Sequence, residues 1–184
     1  MHLSVMAFLE RAVTAQDVAG QHVIEAGSLN VNGSPREHVM SLGPASYTGI
    51  DLQAGNGVDL VMDAADLPGP LEPAGLVVST SMLEHASDWQ AALRGVLEAV
   101  APGGCLVLTC PSAGFPFHHP PDHWRFSLET MAAITKAAGL EVLVLEADPG
   151  EPGVMLKARK RVGWAWPRGA FTLWAQAGVT AVTL

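Results

Sequence analysis

Chemistry in this sequence gathers where short apolar runs end. Val23-Ile24-Glu25-Ala26 runs into Gly27, Tyr47-Thr48-Gly49-Ile50 into Asp51, and Val58-Asp59-Leu60-Val61-Met62 into Asp63. A glycine directly after an extended run lets the backbone approach a ligand that a Cβ would block. An acid 24 residues beyond that glycine has the position and the chemistry to accept hydrogen bonds from two ribose hydroxyls. Asp63 could take an adenine amino group, with Ala64 and Leu67 flanking the ring. Taken singly, Asp51 reads as a turn acid and Asp63 as a helix cap. It is the ordered set of three that points to a nucleoside site.

A second set of groups could move protons. His85 closes the segment Ser79-Thr80-Ser81-Met82-Leu83-Glu84-His85 and is the first candidate general base. Its alternative is a structural histidine capping the next element, and Glu84 beside it reads as structural or solvated. The run Phe115-Pro116-Phe117-His118-His119-Pro120-Pro121-Asp122-His123-Trp124-Arg125-Phe126 mixes rigid prolines, aromatics and titratable groups. It could wall a substrate pocket through Phe117, Asp122, His123, Trp124 and Arg125, with His118 or His119 as a further base. Arg125 could hold either Asp122 or a substrate anion. Prolines interrupt the histidines and no helical His-x-x-x-His spacing occurs, so no metal is expected.

The elements that must position these groups alternate in type. An amphipathic helix is expected over residues 3–15, with Leu3, Met6, Leu9 and Val13 on one face. A strand follows from His22 to Gly27. Ser34-Pro35-Arg36-Glu37 has the form of a capping box, starting a helix that reaches about Leu42. Strands are expected at Tyr47–Asp51, Val58–Met62 and Gly75–Thr80. Ser87 with Gln90 suggests another capped helix, which Pro102-Gly103-Gly104 ends before a strand from Cys105 to Thr109. A helix from Leu128 stops at Gly139. Strands Glu141–Leu145 and Val154–Ala158 then flank a Pro149-Gly150-Glu151-Pro152-Gly153 turn.

Alternation implies a Rossmann-like three-layer α/β/α sandwich with a mostly parallel sheet. The short closing turn forces an antiparallel C-terminal hairpin. One domain is expected over 1–184, with an N-terminal helix within 1–20 and a Trp-rich tail over 160–184. Ligands of such sheets sit beyond the carboxyl ends of the strands, where the strand order switches. Gly27, Asp51, Asp63 and the Ser79–His85 segment all belong to that edge.

Bulk composition narrows the classes. A hydrophobic fraction of 49% supports a large buried core. No apolar run approaches the roughly 20 residues needed to cross a bilayer, and the N-terminus lacks a secretory pattern. Cys105 and Cys110 match no metal or redox spacing, and a cytoplasmic setting is expected. A formal net charge of −8 argues against broad nucleic-acid binding. Lys157, Arg159, Lys160, Arg161 and Arg168 form a basic stretch, read as a solvated strand end or a site for an anionic partner. Trp164, Trp166 and Trp174 could dock on the domain, cover the site or support a homodimer. Neither G-x-x-x-x-G-K-[ST] nor G-x-S-x-G occurs, so phosphate-loop and α/β-hydrolase chemistry are excluded.

The runs 23–34, 47–51 and 57–64, together with Ser79–His85, Pro102-Gly103-Gly104 and Asp122-His123-Trp124-Arg125-Phe126, resemble the class I S-adenosylmethionine-dependent methyltransferases. The resemblance covers about residues 20–130 and is to small bacterial and phage members of the methyltransferase-11 type. It implies a methyl transfer from S-adenosylmethionine, leaving S-adenosylhomocysteine, to an oxygen or nitrogen of a small-molecule acceptor. It also implies a cofactor site built from Glu25, Gly27, Ser28, Asn30, Asn32, Arg36, Asp51, Leu52, Asp63, Ala64, Ser79 and Thr80. In that family the glycine loop holds the methionine half, the acid after the second strand binds ribose and the acid after the third meets adenine. Asn30 and Asn32 could hold the amino-acid end, and Arg36 could pair with its carboxylate. This chain departs from the family's G-x-G-x-G loop by carrying Leu29 where the second glycine belongs. Two other readings stand beside this one: a nicotinamide-dependent oxidoreductase, and a catalytically inactive relative that binds a partner through the Trp-rich tail.

Overall fold

Side chains in a strand alternate between faces, and here both faces are apolar. In a computed structural model describing residues 2–116 and 121–182, that alternation sends Ile24, Val77, Leu106, Leu108 and Leu156 to one side of a sheet. Val23, Leu76, Val78, Val107 and Met155 go to the other. Both sets are buried, which requires a helical layer over each face.

The elements are α1 (Leu3–Ala12), α2 (Ala15–Val18), β1 (His22–Ala26), α3 (Arg36–Ser41), β2 (Ser46–Asp51), β3 (Leu60–Val61), β4 (Ala74–Thr80), α4 (Trp89–Ala99) and β5 (Val100–Pro111). After these come β6 (Trp124–Arg125), α5 (Leu128–Ala137), β7 (Glu141–Ala147), β8 (Gly153–Arg159), α6 (Ala170–Ala175) and β9 (Thr180–Ala181). Single 3-10 turns occur at Ala64–Asp66 and Leu83–His85. Seven strands form one sheet in the order β3-β2-β1-β4-β5-β8-β7. Neighbours from β3 to β5 pair in parallel, while β8 is antiparallel to both β5 and β7. The order of succession reverses between β1 and β4, and ligand crevices of open α/β sheets open at such a point. One helical layer holds α4, α5 and α6, and the other holds α1, α2 and α3. β6 pairs with β9 in a separate two-stranded sheet.

Local signals misplaced several boundaries. Ser34 forms no capping box: its Oγ accepts from the Arg36 amide at 3.1 Å, and Pro35 stands at the cap position. Asp88, not Ser87, caps α4, accepting from the amides of Gln90 and Ala91 at 3.0 Å each. Pro102-Gly103-Gly104 does not precede the strand but lies inside β5. There the pairing with β4 jumps from Ala74–Val100 to Leu76–Cys105, and the extra residues bulge out.

Two lysines of the basic stretch are used internally, while Arg161 and Arg168 are exposed. The Lys157 ammonium reaches the Ala12 carbonyl at the end of α1 and the Asp17 carboxylate, each at 2.8 Å. Lys160 is buried and donates to the Leu97 and Val100 carbonyls at 2.9 and 2.7 Å, capping α4. The tail docks on its own chain. Trp174 is fully buried and donates to the Ile134 carbonyl, Trp164 to that of Ala138 and Trp166 to the Glu98 carboxylate. Trp174 is thus part of the core, while Trp164 and Trp166 stay partly exposed. Cys105 and Cys110 are free thiols facing opposite layers. Among the described residues no helix is long and apolar enough to cross a membrane, and no group of three His, Cys, Asp or Glu could hold a metal ion.

Candidate active site

A cavity of about 810 Å³ opens along the carboxyl ends of β1 to β5. From the expected set its wall takes Glu25, Gly27, Asn32, Asp51, Leu52, Asp63, Ala64, Thr80 and His85. Ser28, Asn30, Arg36 and Ser79 stand behind the wall. His118, His119 and Phe117 lie outside the described residues.

The floor begins at Gly27, whose φ of +84° favours glycine. A Cβ there would come within 2.7 Å of the Met82 side chain, so the missing methyl lets the loop after β4 close over the end of β1. The following loop is clamped by its backbone. Gly27 and Ser28 amides donate to the Ile50 carbonyl at 2.9 Å, and the Asn30 amide donates to that of Asn56 at 2.8 Å. Asn30 spends its side-chain oxygen on the Gly33 amide. Leu29, the departure from the glycine pattern, lines the cavity and lays its side chain where Gly55 has no Cβ. Arg36 is engaged elsewhere, pairing with Asp59, donating to the Gly57 carbonyl and stacking over the Tyr47 ring.

Two backbone donors orient Asp51. Its Oδ2 accepts from the Leu29 amide at 3.1 Å and its Oδ1 from the Gln53 amide at 3.0 Å. An ionised carboxylate has about four acceptor sites, so capacity remains for hydroxyl donors in the cavity. Asp63 does two jobs: it caps the 3-10 turn by accepting from the Ala65 amide at 2.9 Å, and it lines the cavity beside Met62 and Ala64. Glu25 is buried and accepts from the Tyr47 hydroxyl at 2.7 Å. Burial pushes its carboxyl up to about 7, partly offset by that hydrogen bond and by Arg36.

At the other end, Ser81 adopts φ +50° directly after β4, held by its amide bonding to the Thr109 carbonyl at 3.0 Å. A serine in this region is strained, and such strain collects where a chain must turn its side chains toward a site. The turn places Glu84 and His85 in the wall. His85 Nδ1 bonds the Pro121 carbonyl. A carbonyl only accepts, so Nδ1 carries the proton and Nε2 is the basic nitrogen of the neutral ring. Nε2 lies 3.9 Å from Glu84 Oε1. Glu84 is not solvated: it is 2% exposed, and Oε2 has no hydrogen-bond partner among the described residues.

Residues 122–125 brace this turn instead of lining the cavity. Asp122 and Arg125 form a buried bidentate pair, with one arm at 2.8 Å. The His123 amide donates to the Glu84 carbonyl at 2.7 Å, and the Trp124 indole to that of Ala86 at 2.7 Å. Of the neighbouring run, Phe115 and Pro121 reach the cavity, where Phe115 meets His2 edge to face. Leu29, Ser81, Met82 and Phe115 lie in segments the sequence placed at this edge but were given no individual role there, and His2 was passed over as a wall residue.

Five wall residues carry carboxyl groups (Glu25, Asp51, Asp63, Glu84 and Asp88), and none of the described wall residues is a lysine or arginine. Such a wall favours cationic ligands over anionic ones.

Known proteins share this architecture. The chain superposes on the 1,6-didemethyltoxoflavin-N1-methyltransferase of Burkholderia thailandensis, solved with 1,6-didemethyltoxoflavin and S-adenosylhomocysteine. The TM-score is 0.64 and the identity 16%, over 85% of this chain and 78% of that one. The N-methyltransferase NodS of Bradyrhizobium japonicum gives 0.63 and 18%, over 85% and 94%. The cyclase SpnF gives 0.64 and 19%, over 87% and 81%, so the same fold also occurs in a protein named for another reaction. No curated protein matches in sequence. The family profile described as a methyltransferase domain matches residues 32–147, well over half of the chain. By that match and by its sheet, the chain belongs to the methyltransferase-domain family.

Proposed function

We propose that this chain is an S-adenosylmethionine-dependent methyltransferase acting on an oxygen or nitrogen of a small-molecule acceptor. One observation carries the reading: the β1, β2 and β3 ends and the turn after β4 share a single carboxyl-rich cavity without lysine or arginine among its described wall residues. That wall suits a sulfonium ligand with a free amino group. It opposes the pyrophosphate of a nicotinamide dinucleotide, which shares the strand-end ribose acid.

The residues fit the cofactor. Asp51 has unused acceptor sites for ribose hydroxyls, while Ile50, Met62 and Ala64 give the adenine apolar surfaces and Asp63 accepts from its amino group. Glu25 and Asn32 face the amino-acid end beside Gly27. Bound there, S-adenosylmethionine supplies an electrophilic methyl carbon. The protein's part is to hold donor and acceptor in line and to exclude water. His85, with Nδ1 fixed by Pro121, presents Nε2 as the base for an acceptor that must lose a proton. Asp122, Trp124 and Arg125 position the His85 turn from behind.

Calorimetric titration with S-adenosylhomocysteine and NAD tests the reading. Binding of S-adenosylhomocysteine without binding of NAD is expected. Binding of NAD alone would replace it with the oxidoreductase reading.

A further inference from the structure

The cavity wall changes character along its length. At the β2 and β3 ends its apolar surface is aliphatic, through Ile50, Leu52 and Met62. At the β4 and β5 ends four rings enter it: His85 after β4, Phe115 and Pro121 after β5, and His2 at the start of α1, which packs on β5 and β8. His2 and Phe115 meet edge to face, with centroids 5.5 Å apart and planes at 90°. Both are half-buried and line the cavity, so they keep accessible surface there. His2 precedes α1 but its side chain makes no capping bond, so the ring is not spent on the helix. The turn between β7 and β8 anchors both partners of the pair. Asp148 accepts from the Ser4 hydroxyl at 3.0 Å, two residues beyond His2, and is itself fixed by the Gly150 amide at 2.8 Å. On the other side, the Pro152 carbonyl accepts from the Ser112 amide at 2.9 Å, and the Ser112 carbonyl from the Phe115 amide at 3.1 Å. Two segments distant in the chain meet over the cavity because one turn holds both.

We infer that His2 and Phe115 form the acceptor's subsite, and that the acceptor carries its reacting group on a planar aromatic ring. This rests on the methyltransferase reading and narrows it. Two rings at right angles make a corner. A flat ring lying in it stacks on one face while turning its edge to the other, the two arrangements that aromatic quadrupoles favour. A saturated ring of the same size gains burial alone. His85 stands at the same end, tied to Pro121, so the corner and the candidate base border one compartment. The residues assigned to ribose and adenine, Asp51 and Asp63, lie across β1 from it. With no lysine or arginine among the described wall residues, the acceptor is selected by its flat ring and not by an anionic substituent.

The test uses the full chain saturated with S-adenosylhomocysteine, titrated with 2-naphthol and decahydro-2-naphthol, which carry one hydroxyl on flat and on saturated rings. 2-Naphthol should bind about fivefold tighter, the size of one favourable aromatic pair. His2→Leu leaves an apolar side chain without a ring and should erase the preference. His2→Phe restores a ring and should keep it. The wild-type comparison stands even if a variant does not fold. Equal binding of the two alcohols by wild type, or no binding of 2-naphthol at millimolar concentration, overturns the inference and leaves the methyltransferase reading intact. A preference that survives His2→Leu overturns it as well. So does one that His2→Phe loses, which would assign the effect to the imidazole nitrogens. Failure of the wild type to bind S-adenosylhomocysteine would remove the underlying reading, and the inference with it.

Discussion

At the scale of single residues, Glu25 and Glu84 carry the sharpest consequence. Their ordinary value is 4.5, and burial pushes them up to about 7 and about 8. Each keeps its proton in the folded chain across a range where the unfolded chain has lost it. The stability they contribute is thus fully present below about 4.5 and is lost as pH rises through 7 and 8. Among the described residues the groups facing Glu84 are His85 on its own turn, Cys110 on β5, Asp122 before β6 and Arg125 within it. Asp122 opposes its ionisation and Arg125 favours it, the smaller influence of the two. Glu84→Gln should therefore melt higher than wild type at pH 8.5 and no higher at pH 4, read from a pH series of thermal unfolding curves. Equal melting temperatures at pH 8.5 would show that Glu84 is hydrated. Nothing local in the sequence exposes this residue's state, because a three-residue turn is too short to show periodicity. Asp51 and Asp63 were legible for the opposite reason: each ends a run whose pattern marks it as a strand.

At the scale of elements, the cavity depends on how α4 meets the turn at Ala64–Asp66. Gly95 lies in that helix where a Cβ would collide with the Ala64 carbonyl. Glycine to alanine in a helix interior ordinarily stabilises by about 0.5–1 kcal/mol. Backbone cannot move aside as a flexible side chain can, so here the sign reverses. Gly95→Ala should destabilise the chain by about 1–3 kcal/mol in urea unfolding, the usual cost of overpacking. It should also weaken nucleoside binding by displacing Asp63. A stabilised variant would mean that α4 and this turn are not packed as described. The helix was legible from Trp89, Leu93, Val96, Leu97 and Val100, but its glycine's reason was not, because the partner is a carbonyl 31 residues away in the chain. The same limit misled the reading of Pro102-Gly103-Gly104. These are breaker residues in sequence, yet pairing with β4 and bonds between Gly103, Gly104 and Lys160 carry β5 through them.

For the whole molecule, the alternation of strands and helices with a closing hairpin predicts the architecture that is found. Burial on both faces of β1, β4 and β5 leaves few alternatives. The tail was the least legible part, since no period organises Trp164, Trp166, Phe171 and Trp174. Each indole finds a partner only once α4 and α5 are in place. Trp174 stacks near Trp89 and Trp166 with ring centroids 5.8 and 5.5 Å away, making the tail a component of the core. Trp174→Ala should cost about 3–5 kcal/mol in urea unfolding, the range for removing a large buried aromatic. A loss below about 1 kcal/mol would mark the tail as an appendage.

The central claim is that the carboxyl ends of β1 to β3 hold the nucleoside of S-adenosylmethionine, with Asp51 on the ribose. The direct test is a calorimetric titration of wild type and Asp51→Ala with S-adenosylhomocysteine, alongside melting curves confirming that both are folded. Wild type should bind, and the folded variant should bind at least about tenfold more weakly, as for a lost pair of hydrogen bonds to a charged group. A folded variant with undiminished affinity would contradict the account and move the cofactor away from this edge of the sheet.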